Sequence, residues 1–402
     1  MILSKNTLST ILTRAVVLTI NFLLVVFTAR VWGSEGRGLI ALIMADVAII
    51  VILNNVFSGA TVAYHTPRDA GRRLFIIAWG ASLVTSLAGA LIFSFIQGFQ
   101  YFFLLAGISL LTSLATSISY FWLGRNNIRL YNLMILLPPL LLILFLMAAY
   151  YGGGITRLRI YFLSWFLAYG TVWAFGLATL LRGKIHRQGG GSGLMRRMAA
   201  YGMKSELSYF IQFLNYRLAY FFISSWLGLS RLGLFSVAVA VSEAVWIIGK
   251  SISAILYADV LNASDPLERI AMTRKAALQG FLLTLPALIL LAFVPEKVYL
   301  FLFGAEFHGV RMMVLYLMPG ILAVAVANII GHYFSATGQM NILIIKSSLA
   351  LAVTVVLLVL FLKKYGLVAA CLTIDITYLV ILAYLGTRFL KEVRKVKENS
   401  RE

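Results

Sequence analysis

The sequence predicts an all-α polytopic membrane protein: about twelve transmembrane helices in two six-helix bundles, related by an internal repeat and facing a central cleft. Three observations predict it. The 402 residues are 61% hydrophobic and only 12% charged, with mean hydropathy +0.93, whereas soluble domains carry roughly 25% charged residues. Apolar stretches of about 20 residues, the length that crosses ~30 Å of hydrocarbon, recur from end to end. Finally, "TARVWGSEGRGLIAL" (28–42) and "SSWLGLSRLGLFSVA" (224–238) echo each other at a constant offset of 195, with Gly33 against Gly228 and Gly38 against Gly233.

The first span, 8–31, follows Lys5 and has the look of a signal peptide, but its apolar run is longer than a signal h-region. "ARVWGSEGRG" offers no small-residue cleavage site, so the segment is expected to stay as a helix. Spans at 39–61, 74–96, 101–123, 130–150 and 160–181 complete the first set. Those at 204–227, 234–257, 276–294, 312–335, 341–362 and 367–389 make the second. A second echo pairs "YFWLGRNN" (120–127) with "YFSATGQMN" (333–341), each between the fourth and fifth helix of its set. The expected domains are therefore a bundle over 1–182, a basic Gly-rich cytoplasmic linker over 183–200, and a bundle over 201–402 with a short basic tail.

Orientation follows from the cations. With the N-terminus in the cytoplasm, twenty-two of the 34 Lys and Arg fall in inside segments and nine in outside segments, which places both termini in the cytoplasm. The net charge of +20 thus needs no nucleic-acid partner; basic cytoplasmic loops attract anionic membrane lipids. Cys371, the single cysteine, lies in an apolar stretch and allows neither an internal disulfide nor a Cys-based metal site. The four histidines have no partner at metal-ligand spacing, and "GGGSG" is not followed by G-K-[ST], so it is no P-loop. No cofactor and no catalytic motif are expected.

Ionisable groups inside spans are functional candidates, because each is costly to bury. Arg217 sits midway along the seventh helix. Glu206, Tyr209, Phe213, Arg217 and Tyr220 recur at three- and four-residue steps and so share a face. Glu243 and Lys250, two turns apart on the eighth helix, share another beside Trp246. Two roles are open for these groups. Arg217 or Lys250 forms a structural ion pair with Glu243 or Glu206, or the cations line a cleft that receives a pyrophosphate. Arg14 lies about two turns from the cytoplasmic end of the first helix, within snorkelling reach of the interface. Substrate-binding candidates are accordingly Arg14, Arg217, Lys250, Tyr209 and Tyr220. Among the acids, Asp375 is deep in the twelfth helix, where an unpartnered carboxylate is costly and taking up a proton removes the cost; the alternative is a neutral, hydrogen-bonded packing residue. Asp375, Glu243 and Asp46 are the ion-coupling candidates, for H⁺ or Na⁺. Asn54, Asn55 and Asn328 are expected to hydrogen-bond between helices.

The helix-1 ending "ARVWGSEGRGLIAL" resembles the L-G-x-x-x-[FY]-G element of Wzx-type polysaccharide and O-antigen flippases, in the multidrug/oligosaccharidyl-lipid/polysaccharide exporter superfamily. "LFGAEFHGVRMMVLYLMPG" (302–320), "FSATGQMN" (334–341) and "KKYGLVAA" (363–370) resemble later elements of the same family. Gly36–Arg37 departs from the pattern, standing where a spacer and an aromatic precede the second glycine. The resemblance implies movement of a polyprenyl-pyrophosphate-linked oligosaccharide across the bacterial inner membrane by alternating access, and no enzymatic step. Glycan polymerase machinery is an implied partner. Placing Arg14 low in the first helix also matches the habit of these flippases. The rival within the superfamily is a drug/cation antiporter, whose cavity should present carboxylates rather than cations. A membrane glycan polymerase or ligase needs a large outside loop, and the longest one here, about 295–311, is short for that.

Overall fold

The computed structural model describes residues 5–69, 71–182 and 193–399. The linker residues 183–192 lie outside the described residues; residues 194–200 open a helix instead of extending the linker. Every regular element among the described residues is helical: α1 Lys5–Asn54, α2 Gly59–Asp69, α3 Arg72–Gln97, α4 Phe102–Gly124, α5 Ile128–Met147, α6 Arg159–Arg182, α7 Leu194–Leu227, α8 Leu229–Ala244, α9 Trp246–Asn262, α10 Pro266–Phe293, α11 Glu296–Phe303, α12 Val310–Ala336 and α13 Met340–Asn399. Among these residues eight helical runs are long and apolar enough to cross a membrane, or nine if α8 and α9, bent by 44°, cross as one. The chain is a multi-pass membrane protein.

Two of the runs are too long for one crossing. At 1.5 Å per residue, the 50 residues of α1 and the 60 of α13 each exceed twice ~30 Å of hydrocarbon. Each is broken once, at Gly33 (φ 62°, ψ −166°) and at Gly366 (φ 59°, ψ −139°). That region of backbone space is reached almost only by glycine. The breaks fall where the sequence predicts the gaps 31–39 and 362–367. Other boundaries move outward: α7 starts ten residues before the expected 204, and α13 runs ten past the expected 389.

The described residues form two compact units. The first holds the chain up to Leu24 together with Ile43–Phe210. Its core packs Leu74, Phe75, Ile118, Phe121 and Val172 from α3, α4 and α6. Buried Asn54 donates to Ser86 Oγ at 2.9 Å and Ser113 Oγ at 2.7 Å, tying the end of α1 to α3 and α4 as expected of an intramembrane amide. The start of α7 is anchored here as well. A Cβ on Gly202 would lie 1.9 Å from the Val56 carbonyl oxygen, Tyr201 stacks on Tyr64 at 4.2 Å, and Arg197 pairs with Asp69 at 2.8 Å. Asp69 also meets His65 Nδ1 at 3.1 Å.

The second unit holds Val25–Leu42 together with Ile211 onward. Both unit boundaries therefore fall inside helices, α1 and α7, rather than at the linker.

The repeat is visible in backbone detail. After α4, Asn127 N–H donates to Trp122 O and Asn126 N–H to Leu123 O; after α12, Gln339 donates to Phe334 O and Gly338 to Ser335 O. Both are Schellman caps, with Asn126 (φ 56°) and Gly338 (φ 76°) in the left-handed position. The pairing is thus Phe121–Asn127 with Tyr333–Gln339, offset 212. That is one residue away from the letter match of "YF" with "YF", because the cap follows backbone position and not aromatic identity.

Candidate functional site

In the second unit, α7 carries Arg217 against α8. Its guanidinium donates to both oxygens of Glu243 on α8, Nη1 to Oε1 at 2.7 Å and Nη2 to Oε2 at 2.9 Å. The planar fork matches the carboxylate, which is the geometry that makes arginine suited to bidentate pairing. Tyr220, one turn on, lies under the guanidinium at 5.1 Å. Beside the pair, Tyr216, Ser242, Glu243, Trp246 and Tyr378 line a cavity of about 10 Å³, room for one water. Among the described residues, buried Ser242 Oγ and Trp246 Nε1 have no hydrogen-bond partner.

Lys250 is placed differently from expectation. The helix breaks at Val245, between α8 and α9, so Lys250 does not share a helix face with Glu243. It is exposed, and its ammonium lies over the Trp246 ring at 5.3 Å. Asp375 has a fixed partner, as the packing alternative requires. Buried on α13, it accepts the Gly320 N–H of α12 at 2.9 Å. Gly320 follows Pro319, and a Cβ there would come within 2.3 Å of Asp375 Oδ1. The small residue and the carboxylate are one fitted contact.

In the first unit, Asp46 is fully buried. Gln97 Nε2 donates to its Oδ2, while Oδ1 has no protein partner. Arg14 is exposed on α1, and its charge falls on Tyr120, as do those of Glu206 and Tyr209. Glu206 is buried, whereas Tyr209, three residues on, is 57% exposed. The face shared along α7 is therefore split between the units: Glu206 and Tyr209 belong to the first, Arg217 and Tyr220 to the second.

Two further charged groups are invisible to span-based reasoning. Arg37, expected in a loop, is buried in the first turn of the helix that restarts at Ser34, close enough to Tyr220 for their charges to interact. Glu306, in the 3₁₀ turn Ala305–Phe307, accepts the Ser34 N–H at 2.8 Å and the Ser34 hydroxyl at 2.9 Å. Those bonds, the amide first, hold its carboxyl below the ordinary glutamate range against a smaller opposing effect of burial.

The glycine echo is a reciprocal contact within the second unit. A Cβ on Gly38 would sit 1.8 Å from Leu229 O, and one on Gly233 would sit 1.8 Å from Ser34 O. Leu229 is Ser34 plus 195, and Gly233 is Gly38 plus 195. The two helix starts therefore cross each other as symmetry mates, each glycine pressed on the other's first carbonyl.

Fold and buried ion-bearing helices together define an all-helical multi-pass membrane architecture. Among solved structures, one of the lipid II flippase MurJ in an inward closed conformation is similar with TM-score 0.71 at 14% identity, over 98% of this chain and 90% of that one. An inward-facing multidrug resistance MATE transporter of the MOP superfamily gives 0.68 at 14% identity, over 97% and 96%. A mutant of the Vibrio cholerae MATE transporter VcmN gives 0.67 at 10%, over 97% and 96%. These neighbours are named as transporters and a flippase, not enzymes. No family model matches the chain, and no curated protein matches it by sequence. At such identities the likeness is one of fold.

Proposed function

We propose that this chain is a flippase that carries polyprenyl-pyrophosphate-linked oligosaccharide, of the O-antigen or polysaccharide-precursor kind, from the inner to the outer leaflet of the bacterial inner membrane. The observation that carries the proposal is that two intramembrane cations stand without a carboxylate partner. Arg14 and Lys250 lie in spans, and among the described residues neither has a carboxylate within ion-pair distance. Such groups suit an anionic cargo and disfavour a cationic one. Counting the breaks at Gly33 and Gly366 as turns between spans, α1 with α2 as two, and α8 with α9 as one, gives twelve crossings, with both termini in the cytoplasm on the basic-residue asymmetry.

Arg217 is central to the mechanism. Glu243 holds its fork in this conformation; a diphosphate offers oxygens of the same spacing and more charge, and would displace the carboxylate. Released inside the membrane, Glu243 would be a carboxylate without its partner, which is costly, so Glu243 stays a coupling candidate beside the cargo site. Tyr220 and Lys250 add ring and ammonium contacts, Arg14 and Tyr209 a contact surface in the first unit, and Asp46 and Asp375 remain coupling candidates for H⁺ or Na⁺. Partners are the lipid-linked glycan, anionic lipids and the glycan polymerase machinery.

Two other readings have specific support. The bidentate geometry favours a purely structural Arg217–Glu243 pair. A neighbour titled as the MATE multidrug transporter DinF-BH, in a complex, with TM-score 0.65, favours a drug antiporter. Depleting the chain in its host separates cargo classes: the proposal expects lipid-linked glycan to accumulate in the inner leaflet with loss of surface glycan. Normal glycan export together with raised sensitivity to cationic dyes would instead identify an antiporter.

A further inference from the structure

The two repeats differ at one place above all. Between α3 and α4 only four residues intervene, whereas sixteen separate α10 from α12. The extra length is an ordered segment, α11 and the 3₁₀ turn after it, fastened at its own base. Arg311 Nε donates to Val294 O at 3.1 Å and Nη2 to Ala292 O at 3.1 Å. Glu296 accepts the Gly309 N–H at 2.7 Å and meets His308 at 3.1 Å. A segment pinned at both ends has one free side, and that side engages α1. Arg30 donates to the Phe301 carbonyl and lies over the Phe301 ring at 5.5 Å. Glu306 caps the helix restarting at Ser34, and Ser34 Oγ lies 2.7 Å from Ser230 Oγ at the start of α8. Gly33 is where it is because the carboxylate occupies the space of a side chain: a Cβ there would lie 2.6 Å from Glu306 Oε2.

We propose that residues 295–309 form a latch on the extracytoplasmic face, in which Glu306 and Arg30 clamp the first repeat's helix corner against the second repeat's corner at Gly228–Ser230 and so hold the outward exit closed. The sidedness and the word exit rest on the transport reading above; the clamp itself rests on the contacts. Two carboxylate-accepted hydrogen bonds, a cation on a ring and a hydroxyl pair are strong enough to bias an equilibrium and few enough to be broken in each cycle. The first repeat has no equivalent, so the corner is fastened from one side only. Opening then requires Glu306 to leave Ser34, with Gly33 and Gly228 as the hinge positions.

The test uses full-length protein with Cys371→Ala as background. Ser34→Cys with Glu306→Cys is bridged by a short bis-thiosulfonate linker, and a third cysteine at Ser230 in separate preparations reports access to an impermeant thiol reagent. The latch predicts that bridging lowers surface-glycan export about tenfold and that reduction restores it. Glu306→Ala without linker should raise Ser230→Cys labelling from outside by about tenfold, while Glu306→Gln, which still accepts from Ser34, raises it less. Complete bridging with undiminished export overturns the latch and leaves the flippase reading standing. Labelling that changes as predicted, in a chain whose unbridged form exports no glycan, overturns the flippase reading and leaves the latch. Labelling indifferent to Glu306→Ala overturns the latch directly.

Discussion

The helix starts at Gly33 and at Gly228 share a backbone and differ in what covers them. Both glycines have positive φ, 62° and 90°, with nearly extended ψ, and each helix then presses its carbonyl on the other's glycine. Yet the first is capped by Glu306, and the second has no side-chain cap. What was duplicated is a crossing of two backbones. What makes the halves unequal is a segment present once. The close approach is the same in both copies; the cap is not, and the latch proposed above rests on that asymmetry.

The comparison breaks hardest at the crossing itself. Gly38→Val and Gly233→Val should each remove folded protein from the membrane, with losses beyond about 3 kcal/mol, because the added atoms meet carbonyl oxygen and neither backbone can withdraw. Fluorescence-detected gel filtration after detergent extraction checks this; equal damage at both sites is expected, and damage at one alone would deny the symmetry. Next in size, Gly33→Ala should cost more than Gly228→Ala. Both lose about 1–2 kcal/mol to left-handed backbone, but only Gly33 also meets the carboxylate. Thermal unfolding in detergent measures the gap, and Glu306→Ala should close it.

Acid should weaken the cap itself. The Glu306 carboxyl is held below the ordinary glutamate value in the folded protein. Its contribution is therefore fully present above that ordinary value and is lost as pH falls through the lowered one. The melting temperature should fall with acidification in that window more for wild type than for Glu306→Gln. Glu35, Glu296 and His308 are the same in both proteins, so the comparison isolates Glu306. The smallest effect is expected from Ser230→Ala, which removes one hydroxyl from Ser34 and should cost about 1 kcal/mol or less.

Much of the fold is legible in the sequence because apolar runs of membrane length and turn glycines leave plain marks. The gaps at 31–39 and 362–367, the echo at offset 195 and the position of Arg217 within its helix all read directly from the letters. Hydropathy says nothing of what happens in a gap, so Arg37 and Glu306 read as loop residues although one is buried and the other caps a helix. Lys250 reads as sharing Glu243's face only if a helix continues through Val245, and it does not. Asp375 reads as unpartnered because its partner is a main-chain N–H, and no letter marks which amide lies opposite a span. Side-chain pairing across spans, such as Arg217 with Glu243, is one of several open choices in the sequence, since spacing within a helix does not say which helix lies opposite.

The central claim is that Arg217 trades Glu243 for the diphosphate of the cargo. Arg217→Ala leaves a carboxylate unpaired in the membrane and should lower stability by about 3 kcal/mol; Arg217→Ala with Glu243→Gln removes the stranded charge. Surface glycan and folded protein are measured together in that double variant. The exchange account predicts that folded protein returns to near the wild-type amount while export stays about tenfold or more below it. Export that returns along with folding would make the pair a structural one and contradict the account.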